Sequence, residues 1–575
     1  MVTLSASSEA PAVATTSSDV GAPRRGWGVA GLSASALVLL GLVLAPRLVL
    51  WWRAEGFEQG DPVEYVNIAY KIAFGIGIEW WDLRPLLLSL IYVPVLYVAQ
   101  LWPDPTGEAM VKALRLVGVA FATGATVLVY LLGRRLAGEI VGLGAGLLVG
   151  VNPIFNRLAV STFAEVPSTC FVLLSVWLLV LAHERRSEVG ARLGVARLAF
   201  GAGLALGVGC MIRYQAIFFL PSIGLWLVAA ELAGSDGSVT ARVRTLLGRR
   251  SSIVWFGAGL GVAAIAQGAI EWIAYGQAYH SLIASFDYNM TSGLAPVEFG
   301  AEPFDWFLRE TPAWFGIVPG ILAIVGALAM LRGPRAAEWR LVGLTAAMMF
   351  LALSALPHKE DRFMAQVLPL LALFAAHGAA LLGYRFQRLP WGPSASRDPH
   401  GVTGYRLQGR VALPLPRAGD GSPLARLRER GGGGVRASTV IAVALLLVGA
   451  VPLLRASWTL DLTANLAYVD GPKRAAQIKP GGVIGTIPWF VPRPYTGTRL
   501  TLTRMDRNVW KDRELVARTI EESDFLLFPE YWLLEDREID KLVDARFRSI
   551  RAYDNGVVLY ESRQLEEPAR RRSRP

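Results

Sequence analysis

Long apolar runs separated by short polar stretches dominate the chain. They occupy 27–46, 111–132, 139–154, 164–182, 196–212, 214–231, 253–273, 313–331, 341–356, 363–383 and 437–454, and most are long enough to predict a helix that crosses a bilayer. The first run is too long for the core of a signal peptide and lacks a clear cleavage site, so it reads as a retained span. One further run, PLLLSLIYVPVLYVAQLW at 85–102, decides the topology, because every later loop changes side if it spans. Short cytoplasmic loops are enriched in Lys and Arg. Keeping 85–102 on the outer side, lying at the interface or re-entering, gathers Arg24, Arg25, Arg134, Arg135, Arg185, Arg186 and the basic stretches 242–250, 332–340 and 384–436 inside. The pattern therefore predicts about eleven spans, N-terminus in and C-terminus out.

Between and beyond the spans the composition shifts. Residues 1–26 are rich in Ser, Ala and Thr and read as a disordered cytoplasmic start. The stretch 384–436 is rich in Gly, Pro and Arg and reads as a floppy cytoplasmic linker. After the last span, 457–575 is far more polar, with short apolar strands in GGVIGTI and DFLLFPEYW, a helical pattern near 511–522, and a DNG turn before VVLYE. The expected fold class is mainly α: a polytopic membrane module over 27–383 with a first outer loop at 47–110, a last span at 437–454, and a small extracytoplasmic α/β domain over 457–575.

Composition agrees with a membrane module. Hydrophobic residues make up 53% of the chain and charged residues 18%, against about 25% charged in an average soluble domain. The net charge of +11 does not point to nucleic acid, because the arginines cluster between apolar runs without interleaved aromatics on a polar surface. Cys170 and Cys210 both fall in apolar runs, so no disulfide framework is expected. The histidines at 183, 280, 358, 377 and 400 lack ligand spacing, and no metal is expected.

Candidate chemistry collects on the predicted outer face. The stretch LPHKEDRFMAQVLPLL sets five ionisable residues, His358 to Arg362, between two greasy runs. A charge at the bilayer centre costs about 2.5–3.5 kcal/mol on the mildest scale, so these residues belong at a membrane edge or in a wet cavity. The same face carries the carboxylates Asp61, Glu64, Asp82, Glu165 and Asp305, the cations Arg84, Arg157, Arg213, Lys359 and Arg362, and the indoles Trp80, Trp81 and Trp306. Carboxylates can take a proton from an incoming hydroxyl, cations can hold a phosphate leaving group, and indoles offer apolar area with a polar edge for a sugar ring. A donor used outside the cytoplasm is not readily a soluble nucleotide sugar, and a lipid-linked phosphosugar satisfies every feature. Taken singly, each residue has a plainer reading: snorkelling for span-end charges, an interfacial belt for tryptophans, and a helix cap at Asp61 for a helix starting near Val63. Their accumulation on one face favours the site.

HKEDRF resembles the H-K-E-x-R-F signature of the dolichyl-phosphate-mannose-dependent mannosyltransferases of glycosyltransferase family 22, which have the C-type glycosyltransferase fold. GIGIEWWDLRP, STFAEVPS and FDYNMTSGLAPVEFGAEPFDWFLRETP are similar, in the same order, to further segments of that family, and the resemblance covers roughly 30–390. It implies an inverting hexosyltransferase, mannose being the expected sugar, that uses a lipid-phosphate donor and an extracytoplasmic acceptor and needs no metal or other cofactor. Its base would fall on Asp61, with Glu64 as the alternative because the family's adjacent acids are Gly60 and Asp61 here. Donor phosphate contacts would fall on His358, Lys359 and Arg362. Beside the resemblance, the outer-face residues add Arg84 as a phosphate contact and Trp81, Asp82, Glu165, Asn289, Asp305 and Trp306 as candidate sugar and acceptor contacts. The family's Thr-Trp-Glu is Trp80-Trp81-Asp82, and its arginine before Thr-x-Ser-Asn is Ser161. The Ala/Gly/Arg-rich composition suggests a bacterial homologue in the plasma membrane with a polyprenyl carrier. Two rivals remain: transfer of another lipid-linked sugar of the aminoarabinose or galacturonic acid type, and a transporter. Transporters keep charges near mid-membrane and show repeat symmetry, whereas these charges sit at span ends and no repeat is found.

The predicted topology has a direct check. In intact cells a cysteine placed at Ser549 should react with a membrane-impermeant reagent and one at Ser422 should not, and the reverse pattern inverts the topology.

Overall fold

The computed structural model describes residues 34–565 except 58–59, 76–82, 102–106, 187, 189–191, 234–245, 247, 249–250, 293–294, 297–299, 331–334, 388–431, 461–462, 465, 488–490, 492–493, 495–499, 506–511 and 554–555. The N-terminal stretch 1–26, nearly all of the 384–436 linker, Trp80, Trp81, Asp82 and two residues of the DNG turn therefore lie outside the described residues.

The chain opens with α1 (Ala34–Arg53), a short strand β1 (Glu55–Gly56), α2 (Asp61–Phe74) and α3 (Leu87–Gln100). It continues through α4 (Gly107–Ala137), α5 (Glu139–Gly150), α6 (Pro153–Ala159), α7 (Glu165–Arg185), α8 (Arg192–Ile212), a 3-10 turn (Tyr214–Phe219) and α9 (Leu220–Leu232). Then come α10 (Ser252–Tyr275), α11 (His280–Phe286), α12 (Trp306–Phe315), α13 (Ile317–Met330), α14 (Ala336–Ala355), a second 3-10 turn (Asp361–Gln366), α15 (Leu368–Gln387) and α16 (Gly432–Trp458). Among the described residues nine helical spans are long and apolar enough to cross a membrane, and eleven if two bent pairs each count as one span. The protein is a multi-pass integral membrane protein. The ambiguous run forms α3, only 14 residues long and short of the about 20 a spanning helix needs.

The two bent pairs explain where hydropathy alone saw straight runs. Between α5 and α6 the direction changes by 66°. Asn152 causes the break: its side-chain oxygen accepts the Phe155 N–H at 3.0 Å, which starts a new helix with Pro153 in its first turn. Between α12 and α13 the bend is 112°, at Gly316 with φ +87°, a backbone conformation favouring glycine. Elsewhere small residues let helices touch. Cβ atoms added at Gly203 of α8 or Gly259 of α10 would lie 1.9 and 2.0 Å from the facing helix's carbonyl oxygens, so these backbones meet directly.

The first helix runs past its expected end. It continues through Pro46, and Arg47 is fully buried within it. Arg47 Nε donates to Asn156 Oδ1 at 3.0 Å and Nη2 to Thr126 Oγ1 at 3.1 Å. This ties α1 to α4 and α6. At one end of the bundle Arg135 and Arg335 both pair with Glu184, and Arg186 pairs with Glu231. These are the basic loops that the sequence places inside.

The C-terminal domain is a mixed sheet with helices. After β2 (Thr463–Ala464) and α17 (Leu466–Ile478) come β3 (Gly482–Thr486), β4 (Leu500–Arg504), α18 (Arg513–Glu522), β5 (Phe525–Pro529), α19 (Tyr531–Glu535), α20 (Arg537–Arg546), β6 (Phe547–Ala552) and β7 (Val557–Ser562). The strand order is β4-β3-β5-β7-β6, with β3 parallel to β4 and β5, and β7 antiparallel to β5 and β6. Apolar β3, β5 and β7 match the sequence expectation. The edge strands β4 and β6 do not show in the hydropathy pattern.

This domain is fastened to the first loop. β1 pairs in parallel with β2, Val469 of α17 packs with Tyr65, Val66 and Tyr70 of α2, and Asn67 Nδ2 donates to the Val491 carbonyl at 3.1 Å. Residues Asp61 to Tyr70 are all buried, in a cluster built mainly with α3 and α4 and closed by Val469. The C-terminal domain completes the cover that α3 and α4 begin. Asn67→Ala leaves the Val491 carbonyl unpaired, at a cost of about 1–3 kcal/mol. Hydrogen exchange on the full chain should quicken in both α2 and α17 while α7 and α8 are unchanged. Unaltered exchange in α2 means the bond does not fasten it.

Candidate active site

Gly60, with φ +78°, turns the chain into α2, and Asp61 is the first helical residue, with no side-chain cap at this helix start. Its carboxylate engages arginines instead. Oδ1 accepts Arg84 Nη2 at 2.5 Å, while Oδ2 lies 3.0 Å from Arg362 Nη1 and 3.3 Å from Arg213 Nη1. Glu64, three residues along α2, accepts Arg84 Nε at 2.6 Å. Glu165, the fully buried first residue of α7, lies 3.1 Å from Arg213 Nη2 and 3.5 Å from Arg362 Nε. Three carboxylates and three guanidiniums thus converge from the first loop, the start of α7, the end of α8 and the second 3-10 turn.

Around this core, Arg362 Nη2 also reaches Glu360 Oε1 at 2.5 Å, and His358 Nε2 meets the same oxygen at 2.9 Å. The Arg362 guanidinium lies 4.8 Å from the Phe163 ring centre, and Arg213 lies 5.4 Å from that of Phe363, so aromatic rings hold both cations from behind. Arg157 holds both oxygens of Asp361, at 2.8 and 2.9 Å, and fixes the turn that carries Arg362.

Electrostatics separate the two acids of α2. Burial opposes ionisation of Asp61, but Arg362, Arg84 and Arg213 outweigh it and hold its carboxyl well below the usual carboxylate range. At Glu64 burial outweighs Arg84, and the neighbouring Asp61 charge adds to it, so the carboxyl is pushed up. Burial also opposes ionisation of Glu360, but His358 and Arg362 pull its carboxyl down. Such opposed shifts in one cluster mark a functional site. Open valence points the same way: both Glu165 oxygens and Arg362 Nε lack a well-aligned hydrogen bond among the described residues, which is uncommon for buried groups. Arg362 is shared among Asp61, Glu165 and Glu360, so an incoming phosphate can take it over through charge-assisted hydrogen bonds.

The sequence candidates divide clearly. Asp61, Glu64, Arg84, Glu165, Arg362 and His358 come together. Arg84, expected at the donor phosphate, instead clamps Asp61 to Glu64. His358 and Arg362 do not share a helical face, because the 3-10 turn begins at Asp361; Glu360 bridges them. Lys359 is buried and its ammonium donates to the carbonyls of Glu302 at 2.8 Å and Leu356 at 2.5 Å, so it holds the loop before α12 to the end of α14. Asp305 pairs with Arg309 at 2.6 Å on the surface. Trp306 packs 5.1 Å from the Trp314 ring, and Asn289 Nδ2 donates to the Ser285 carbonyl at 2.7 Å. No hydrogen bond or ion pair described links these three to Asp61. Trp81 and Asp82 lie outside the described residues. In the sequence Arg213 reads only as a span-end cation, and Glu360 carries no signal beyond its place between His358 and Arg362. Among the described residues no three His, Cys, Asp or Glu side chains converge in metal-binding geometry.

The bent-helix membrane bundle with its C-terminal α/β domain is that of a membrane glycosyltransferase of the C-type fold, as the family profile and the structural matches show. The chain belongs to the Alg9-like mannosyltransferase family, whose profile matches residues 60–394, and it is a hexosyltransferase. Among solved structures it is similar to ArnT from Cupriavidus metallidurans bound to undecaprenyl phosphate, at 15% identity and TM-score 0.60, over 93% of this chain and 99% of that one. It is also similar to the Archaeoglobus fulgidus oligosaccharyltransferase in the apo form, at 12% identity and TM-score 0.55, over 88% of this chain and 71% of that one. The same archaeal protein in complex with an inhibitory peptide and a dolichol-phosphate matches at 12% identity and TM-score 0.51, over 92% and 74%. No curated protein matches the sequence.

Removing the shared cation tests the cluster. Arg362→Ala, confirmed as correctly inserted, should lower sugar transfer by at least about tenfold, the loss of one charge-assisted hydrogen bond of about 1.5–3 kcal/mol. Near wild-type turnover leaves Arg362 a structural ion-pair partner only.

Proposed function

We propose that the protein transfers a hexose, with mannose the first choice, from a polyprenyl-phosphate donor to an extracytoplasmic glycan, lipid or protein acceptor, with inversion. The observation that carries this is Asp61, an ionised carboxylate buried among Arg84, Arg213 and Arg362. Neighbouring folds solved with undecaprenyl phosphate and dolichol-phosphate support the choice of donor. The basic ion-pair layer at Glu184 and Glu231 supports placing the site on the outer face, that of a bacterial plasma membrane.

In this mechanism the donor phosphate draws Arg362, with His358 beside it, away from the carboxylates. Asp61 then keeps fewer cations and its affinity for a proton rises. It takes the proton of the acceptor hydroxyl, whose oxygen attacks the anomeric carbon from the face opposite the phosphate. The C–O bond to phosphate breaks, and its electron pair leaves on the phosphate oxygen, where the guanidinium stabilises it. One carboxylate and one displacement suffice. No glycosyl-enzyme intermediate or metal is required, because arginine supplies the positive charge. Glu165, with oxygens still open, is placed to accept from a sugar or acceptor hydroxyl.

Purified protein in lipid vesicles, given a panel of radiolabelled polyprenyl-phosphate sugars and membrane acceptors, should transfer one sugar preferentially. Asp61→Asn should lower that transfer by about 10²–10⁴-fold, and Glu64→Gln by less. The reverse ranking moves the base to Glu64. Both variants keeping more than about a tenth of activity moves it to Glu165 or Asp82.

A further inference from the structure

A further buried carboxylate lies outside the cluster just described. Glu271 sits near the end of α10, a helix whose neighbouring side chains face outward: Trp272 and Ile273 are 63% and 85% exposed, whereas Glu271 is 0% exposed. An acid buried in such a helix is expensive and is kept for a reason. No arginine or lysine pairs with Glu271 among the described residues. Its oxygens accept instead from the Tyr214 hydroxyl at 2.7 Å and the Ser281 N–H at 3.0 Å, and also from Gln267 Nε2 and the Ser281 hydroxyl. Gln267 further donates to the Tyr214 oxygen at 3.0 Å.

The backbone around this junction is held with equal care. Tyr279 adopts φ +57°, rare for a bulky residue and retained where surroundings over-determine the conformation. Its ring lies over Gly268, where an added Cβ would come within 2.9 Å of Cζ, and its hydroxyl donates to the Ala264 carbonyl at 3.1 Å. The start of α11 is thereby locked to α10, and Ser281 is delivered to Glu271.

Tyr214 directly follows Arg213, whose guanidinium holds Asp61 and Glu165. Arg213 is extended and the 3-10 turn begins at Tyr214, so the peptide that orients the guanidinium is anchored on the Tyr214 side. Gln215 completes the hold by accepting Arg213 Nε at 2.5 Å.

We infer that the Glu271–Tyr214–Ser281 junction positions Arg213 and thereby couples the loop after α10 to the Asp61 carboxylate. This rests on the transferase reading above. Tyr214 and Glu271 are positioning residues: they act through Arg213.

The test is a double-mutant cycle on full-length protein in vesicles, read as transfer from the polyprenyl-phosphate sugar that wild type prefers. Tyr214→Phe should lower kcat/KM by about tenfold or more, as misplaced machinery does. In an Arg213→Lys background it should lower it by less than about twofold, because residues acting through one another are not additive. Ser281→Ala keeps the backbone N–H and should show the same masking at smaller amplitude, which guards against misfolding of the tyrosine variant. Equal fold-losses in both backgrounds, or no loss in either, overturn the inference while leaving the transferase reading intact. Wild-type protein that transfers no sugar overturns both.

Discussion

An ionised carboxylate buried in a membrane protein must be compensated, and at Asp61 the compensation is three cations from three separate parts of the chain. Arg84 belongs to the first loop, Arg213 to the end of α8, and Arg362 to the turn before α15. Taking six charged groups out of water costs several kcal/mol per ion after relaxation, and well-packed apolar residues would often serve stability better. Under the proposed mechanism that cost is offset by chemistry: the cluster binds the phosphate and takes the proton. Much of the architecture can be read as keeping those three sources in register: glycine contacts that let α8 and α10 touch, rings behind the guanidiniums, and Arg157 steadying the turn at Asp361.

The C-terminal domain enters through the same requirement. Asp61 is the first residue of a helix that is not itself a span, so the bilayer does not fix its height or rotation. The parallel pairing of β1 with β2, the Val469 contact and the Asn67 bond supply that fixing from the other side. A soluble cap and a lipid-embedded bundle thus hold one short helix between them, and its acids face the arginines from the bundle.

Hydropathy made the spans legible because the membrane imposes a length and a composition on each of them. The same reasoning set the run that forms α3, 14 residues long, apart from the spans and found β3, β5 and β7, which are buried and apolar. It missed what depends on partners. β4 and β6 are edge strands, with alternating or mostly exposed positions that carry little hydrophobic signal. The breaks at Asn152 and Gly316 occur inside apolar runs. Arg47 reads as the end of a span until Asn156 and Thr126 are seen to hold it. At the site, the residue types and their common face were legible, but which guanidinium meets which carboxylate was not. Lys359 shows the limit well: a cation in the most specific motif of the chain, it bonds two backbone carbonyls.

The central claim is that the Asp61–arginine cluster is where a lipid phosphate and an acceptor hydroxyl meet. The most direct measurement is a cryo-EM structure of the protein bound to a non-transferable polyprenyl-phosphonate sugar. The account predicts the phosphonate within hydrogen-bond reach of Arg362, the anomeric carbon facing Asp61, and a lengthened Arg362–Asp61 contact. A phosphonate bound elsewhere, with that contact unchanged at 3.0 Å, would contradict it.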